Sequence, residues 1–328
     1  MENKSILSEN SDFLFIYDAT LSNPNGDPDQ ENKPRMDYDT ETNLVTDTRV
    51  KRSIRDYLKA LGHEIFVDVE GEAKVSPDSK LKAVINRLLE TPENIEQLFG
   101  DSPHKDAFSK IIADKKNTDT IFKALQDKKN IELNNFILAQ LVRENFVDIR
   151  MFGSAFAIGG FSKAYTGPIQ LNWGYSLHKV DLVESNSIVT TMNDDSSTFG
   201  KDYRVHYSLL AFNGTINKHT ARSTGLTVGD RDTFRKSIWD SVAAMPTRSK
   251  LNQYPKLYVE LVYNEGYPNG HFGDLRQLVV VTAEENVRGL QHLKVDLSKL
   301  SALIDQNRGE GKAIREIVVS NLLTADKF

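Results

Sequence analysis

Four cations, Arg49, Lys51, Arg52 and Arg55, fall within seven residues of the segment TDTRVKRSIRDYLKALG. At about 100° per residue, Val50, Ile54, Tyr57, Leu58 and Leu61 share one helical face. The cations take the opposite arc, diluted by Asp56. Such an arc near a helix N-terminus can hold phosphates, although taken alone a solvated helix face is the plainer reading. Arg248 and Lys250, in MPTRSK behind Pro246, form a second basic pair open to the same two readings. The polar loop SNPNGDPDQENKP and its continuation bring Asp27, Asp29, Asp37 and Asp39. A nuclease-like carboxylate pair for a divalent ion is conceivable there, against the plainer reading of a solvated acidic loop. Asp37, Asp39, Glu41 and Asn43 begin like a calcium loop. Thr42 stands where its glycine belongs and Thr48 where its glutamate belongs, so the match fails.

Other chemistries are poorly represented. The seven histidines are scattered, with no HxH or HExxH pair, and cysteine is absent. Imidazole-rich metal sites, thiolate sites and disulfides are therefore not expected. GEGKA at 309–313 lacks the spacing and the Ser/Thr of a phosphate-binding loop, and no GxGxxG, GxSxG or RNP-type signature occurs. No catalytic residue, metal or cofactor is expected. The 328 residues carry 41 Lys plus Arg against 46 Asp plus Glu, a formal charge of −5. An acidic chain that binds a polyanion must confine its bases to a local patch. No apolar run approaches the ~18 residues of a membrane span, and the mixed-charge N-terminus reads as no signal peptide. A cytoplasmic protein is expected.

These groups need elements to position them. FLFIYDATL at 13–21 reads as a buried strand that runs into the long polar loop, and the basic segment is the helix after it. Residues 76–146 carry several amphipathic patterns, two of them behind Ser76 with Pro77 and Thr91 with Pro92, and read as a helical insert with its own core. DIRMFGSAFAIGGFSKAYTGP lacks periodicity. GPIQLNWGYSLHKV alternates as a strand with Ile169, Leu171 and Trp173 on one side. NSIVTTMNDDSSTFGKD fits a projecting hairpin. RVHYSLLAFNGTI, KLYVELVY and LRQLVVVTAE are further strands, and DRDTFRKSIWDSVAAM is a helix with Phe234, Ile238, Trp239, Val242 and Met245 inward. Strand, helix, insert, strand, strand, helix, strand is the order of an α+β, ferredoxin-like split β-α-β fold.

Five segments in order, from SNPNGDPDQENKPRMDYDT…LVTDTRVKRSIRDYL through DIRMFGSAFA, GPIQLNWGYSLHKV and DYRVHYSLLAFNGTINKHTARSTGLT to MPTRSKLNQYPKLYVELVY, resemble one family. It is the CRISPR-associated backbone subunit of Cascade, the seventh Cas family, here most like subtype I-B and more distantly I-C. The resemblance spans about residues 12 to 265 and thins in the helical insert and after residue 270. It implies an RRM-like palm (1–67 and 147–328), a helical finger insert (68–146) and a β-hairpin thumb at about 186–203. It implies a CRISPR RNA as partner, with further copies of the chain, a large subunit and subunits capping the RNA ends. Target DNA would be reached through the RNA, which reads sequence by pairing. By the same resemblance the RNA site is Asn23, Asn25, Gly26, Arg49, Lys51, Arg52, Arg55, Gly153, Ser154, Arg248 and Lys250, with Met192 and Phe199 as thumb wedges. Related type III subunits cut target RNA with a loop aspartate after the first strand. That is the competing expectation, although the motif wording here resembles the type I families, which bind without cutting.

Overall fold

The first strand, β1 (Ser11–Ser22), is buried from Ser11 through Ala19. Its apolar residues therefore serve two faces. Leu14 and Ile16 join one core, and Phe13, Phe15 and Tyr17 form an aromatic layer on the other. A strand covered on both sides reads as a continuous apolar run, which is what FLFIY is. The structure, a computed structural model, describes residues 5–70, 73–115, 117–158, 161–190 and 198–325. Side chains are described over the same residues except 69–70, 73–74, 157–158, 161–163, 188–190 and 198–199.

Two compact units are present, one built on a sheet and one mainly helical. The sheet unit holds Ser8–Tyr57, Ile169–Lys218 and Asp232–Phe328. Its strands are β1, β2 (Met36–Asp37), β3 (Thr42–Val45), β4 (Ile169–Leu171), β5 (Gly174–Ser176), β6 (Val205–Ile216), β7 (Gln253–Tyr263) and β8 (Ile314–Asn321). They form one antiparallel sheet in the order β8-β7-β1-β6-β5-β3-β2, with β4 also on β6. Register sets Phe15 opposite Phe212, and Tyr17 stacks diagonally on Phe212 at 5.7 Å. Phe13 meets Tyr258 at 5.8 Å and Phe234 at 5.5 Å. Each fully buried ring contributes about 1.5–3 kcal/mol of transfer free energy.

Helix α1 (Asp47–Ala60) follows β3 directly, and Val50 and Ile54 are buried as its periodicity requires. Leu61 lies past the last turn and is exposed, because Gly62 at φ 88° ends the helix. The expected strand GPIQLNWGYSLHKV breaks in two at Asn172–Trp173. Ile169 and Leu171 face inward as expected, but Trp173 is exposed, since the break ends the alternation. LRQLVVVTAE is not a sheet strand. Leu275–Leu278 is a 3₁₀ turn capped by Asp274, and Val280–Ala283 pairs with Leu293–Asp296 in a separate ribbon. The edge position beside β7 goes instead to β8. His178 is buried, donating through Nδ1 to the Lys179 carbonyl and accepting the Leu209 amide at Nε2. Burial lowers its pKa, so it is a neutral structural group.

The helical unit centres on Leu58–Pro168 with His219–Arg231. Helices α2 (Pro77–Leu88), α3 (Pro92–Phe99), α4 (His104–Asp114), α5 (Thr118–Leu125) and α6 (Ile131–Asn145) enclose a core that includes Leu81, Phe99, Phe108, Ile121 and Leu138. Ser76 and Thr91 cap α2 and α3 by accepting from Ser79 and Asn94 amides. The stretch without periodicity folds as α7 (Val147–Phe152) and a hairpin of Gly153–Ile158 with Phe161–Thr166. Among the described residues, no helix is long and apolar enough to cross a membrane.

Candidate nucleic-acid interface

The loop after β1 and the start of α1 are tied together by Asn25. Its Oδ1 accepts from both the Thr46 amide and the Thr46 hydroxyl, each at 2.9 Å. Thr46 in turn caps the helix, its Oγ1 accepting the Arg49 amide at 3.2 Å. The sequence offers Thr46, Asp47 and Thr48 as caps, and the structure selects Thr46. Its fastening by Asn25, twenty-one residues upstream, does not appear in the sequence. Asn23 is buried beside it, with its amide donating to the Ser249 carbonyl at 2.7 Å and Nδ2 to Asn32 at 2.8 Å. Gly26 is accounted for within the loop, since a Cβ there would lie 1.9 Å from Asn32 Oδ1.

The basic arc separates into cations with different surroundings. Lys51 pairs with Asp47 at 2.9 Å and reaches Gln170 at 3.3 Å. Arg52 is bidentate to Asp56, with Nε to Oδ2 at 3.1 Å. Both are i,i+4 helix pairs, worth about 0.3–0.5 kcal/mol each. Arg55 is half-buried. Arg49 donates to Ser53 at 2.9 Å, and among the described residues no carboxylate lies in ion-pair range of it. Burial, chiefly, lowers its pKa, though an arginine stays charged.

Lys250 lies within reach of the Arg49 charge. Lys250 Nζ donates to the Asn23 carbonyl at 2.9 Å. Burial, aided by the Arg49 charge, pushes its pKa down to about 8. Two cations partly withdrawn from water, with no carboxylate in ion-pair range among the described residues, are an arrangement that an anion would complete. Arg248 differs: its side chain is 68% exposed and pairs with Asp202 at 3.1 Å. The chemistry available is therefore charge-assisted hydrogen bonding to phosphate, centred on Arg49 and Lys250.

Gly153 and Ser154 belong to the helical unit. Gly153 has φ 70°, and a Cβ on it would lie 2.0 Å from the Tyr165 carbonyl, so its own hairpin requires glycine. Ser187–Thr190 pairs antiparallel with Thr198–Lys201. The base of this pair is fixed where Lys201 and Tyr203 both contact Glu31, at 3.3 and 2.8 Å. Met192 lies outside the described residues. Phe199 pairs with Val189 through its backbone, and its side chain lies outside them too.

The loop aspartates have local roles. Asp27 accepts the Asp29 amide at 3.1 Å and pairs with Arg35 at 3.3 Å, while Asp37 accepts the Asp39 and Thr40 amides. Among the described residues, no group of three or more His, Cys, Asp or Glu is placed to hold a metal ion. Two residues the motif reading missed belong to this corner. Arg35, in the charged run ENKPR, was legible as a cation. Trp173 was expected within a strand, and the Asn-Trp-Gly sequence is the turn signal that marks the break.

One large antiparallel sheet with helices packed around it defines an α+β protein. The family described as CRISPR-associated protein Cas7 matches residues 9–298, and the chain belongs to that family. It is 29% identical over 321 residues to the CRISPR-associated protein Cas7 of Haloferax volcanii, covering 90% of this chain and 83% of that one. Two solved chains align more distantly. One, from a CRISPR RNA-guided surveillance complex, pre-nicking, is 13% identical at a TM-score of 0.48, covering 79% of this chain and 80% of that chain. The other, from a CRISPR RNA-guided surveillance complex, is 11% identical at a TM-score of 0.47, covering 97% and 91%. The family assignment rests on the first match.

Proposed function

We propose that this chain is the RNA-binding backbone subunit of a cytoplasmic type I CRISPR surveillance complex of the Cascade kind, nearest subtype I-B. Copies polymerise along a CRISPR RNA and present its spacer for pairing with target DNA. A large subunit and end-capping subunits complete the assembly. The observation that carries this reading is that Lys250, bonded to the Asn23 carbonyl, and Arg49, whose amide is capped by the Asn25-held Thr46, have no carboxylate in ion-pair range among the described residues, in a member of this family.

The strand order β7-β1-β6-β5, with α1 and α8 (Val228–Ala244) as connections, is that of a split β-α-β motif and supports an RRM-like palm. The helical unit corresponds to fingers and the 187–190/198–201 hairpin to a thumb. Binding without cutting is part of the proposal. Asp27 and Asp37 accept amides of their own turns, which supports a structural role for both.

The test is native mass measurement on RNAs of graded length. Copies should load stepwise, because a head-to-tail contact along RNA does not close. Equal stoichiometry on every length would overturn the proposal. With Mg²⁺ or Mn²⁺ the protein should leave complementary RNA intact. Cleavage abolished by Asp27→Ala or Asp37→Ala would establish the type III-like alternative.

A further inference from the structure

Trp173 is 46% exposed, yet its backbone is fixed on both sides. Its amide donates to Asn172 Oδ1 at 2.8 Å, and its carbonyl accepts from Arg276 Nη1 at 2.7 Å. Arg276 is nearly buried, clamped by Asp274 and lying 4.3 Å over the Tyr175 ring. Gly174 then lets β5 restart against the Phe212 ring, where a Cβ would come within 2.4 Å. A large aromatic residue is thus held out in water by a rigid mount, although its chain neighbours Leu171 and Gly174 are buried. Packing of the sheet does not require this.

The ring adjoins the loop–helix corner already described. The Arg35 guanidinium lies 5.9 Å from its centroid, and the Arg35 amide donates to the Asn25 carbonyl at 3.0 Å. Gln170, three residues before Trp173, contacts Lys51. We propose that Trp173 is a stacking platform for one unpaired base of the bound RNA, an inference that rests on the RNA-binding reading.

Three features select a base as the occupant. The cations around the ring already have carboxylates, Arg35 with Asp27, Lys51 with Asp47 and Arg276 with Asp274. What the immediate surroundings of the ring offer is therefore a π face, while the uncompensated charge of the corner sits at Arg49 and Lys250. A guanidinium near that ring adds a cation–π contact to the stack. Finally, the surroundings of the ring are polar, whereas docking of another protein uses roughly 800 Å² of surface on each partner. One ring matches one base, and stacking of this kind tolerates any sequence.

Only two tryptophans are present, so Trp239→Phe leaves Trp173 as the single indole. That variant is titrated with oligouridylate while binding is followed by the anisotropy of labelled RNA. Indole emission should fall with the same midpoint as the anisotropy rise. Trp173→Ala should weaken binding about tenfold and Trp173→Phe much less, as stacking predicts. Anisotropy that rises without a change in emission overturns the platform and leaves RNA binding standing. Emission that follows protein concentration and survives ribonuclease gives the ring to a second copy, and also overturns it. No anisotropy change at any concentration overturns the RNA-binding reading itself. The emission readout uses the native ring, so it decides the matter even where the alanine variant folds poorly.

Discussion

Lys250 donates to the backbone carbonyl of Asn23 at 2.9 Å, so a cation from the segment before β7 is fastened to the loop that follows β1. Burial pushes its pKa down to about 8, so the proposed RNA binding should be pH-sensitive. A bound phosphate raises that pKa, so binding takes up a proton once free Lys250 is neutral. Affinity should be level below pH 8 and fall above it, by at most about tenfold per pH unit. Lys250→Arg should move the fall out of this range, because arginine does not titrate there. Anisotropy at constant ionic strength from pH 7 to 9.5 is the check. A flat profile for the native protein would remove Lys250 from the site. For the RNA-free protein the sign is opposite. The folded pKa lies below the ordinary lysine value, so thermal stability should gain from this group as pH rises from 8 towards 10.

Arg49 and Arg52 should differ although they sit three residues apart on one helix. Arg49 lacks a carboxylate partner among the described residues, whereas Arg52 is held by Asp56. Arg49→Ala should therefore weaken RNA binding more than Arg52→Ala. It should also flatten the log-affinity against log-salt slope by about 0.7, one single-strand phosphate contact. Equal losses from the two variants would mean that the whole arc binds and the pairing with Asp56 is immaterial.

Asn25 acts through structure. Asn25→Ala removes the acceptor for the Thr46 amide and hydroxyl, and should cost about 1–2 kcal/mol in urea unfolding. Asn25→Asp keeps that acceptor and should retain most of the stability. RNA affinity should fall in the alanine variant with an unchanged salt slope, since no cation is lost.

Glu260 provides a test far from the RNA question. It is fully buried and accepts from Arg235 at 2.8 and 3.0 Å and from the Tyr258 hydroxyl at 2.7 Å. Arg235→Ala leaves a buried carboxylate without its cation and should cost about 3–5 kcal/mol in urea unfolding. A loss below 1 kcal/mol would show that water reaches Glu260.

What the sequence determined by itself is local or periodic. Ser76 and Thr91 were legible as caps because a cap bonds within three residues of itself. β1 was legible because both its faces are apolar, and the inner face of α1 because a helix repeats its neighbours every three or four residues. The cationic arc was legible for the same reason, and so was the hairpin at 187–201 between its polar turn residues. Tertiary structure decided which of those cations are engaged and which meet. Asp56 takes Arg52 by helical spacing, but Lys250 reaches the Asn23 carbonyl only because β1 lies between β6 and β7, which brings the segment before β7 to the loop after β1. The same holds for Trp173. Alternation predicted it inside, and a buried arginine from a distant turn, bonded to its carbonyl, fixed it outside. Propensity and period act along the chain, whereas desolvation and charge pairing depend on neighbours that only the folded chain supplies.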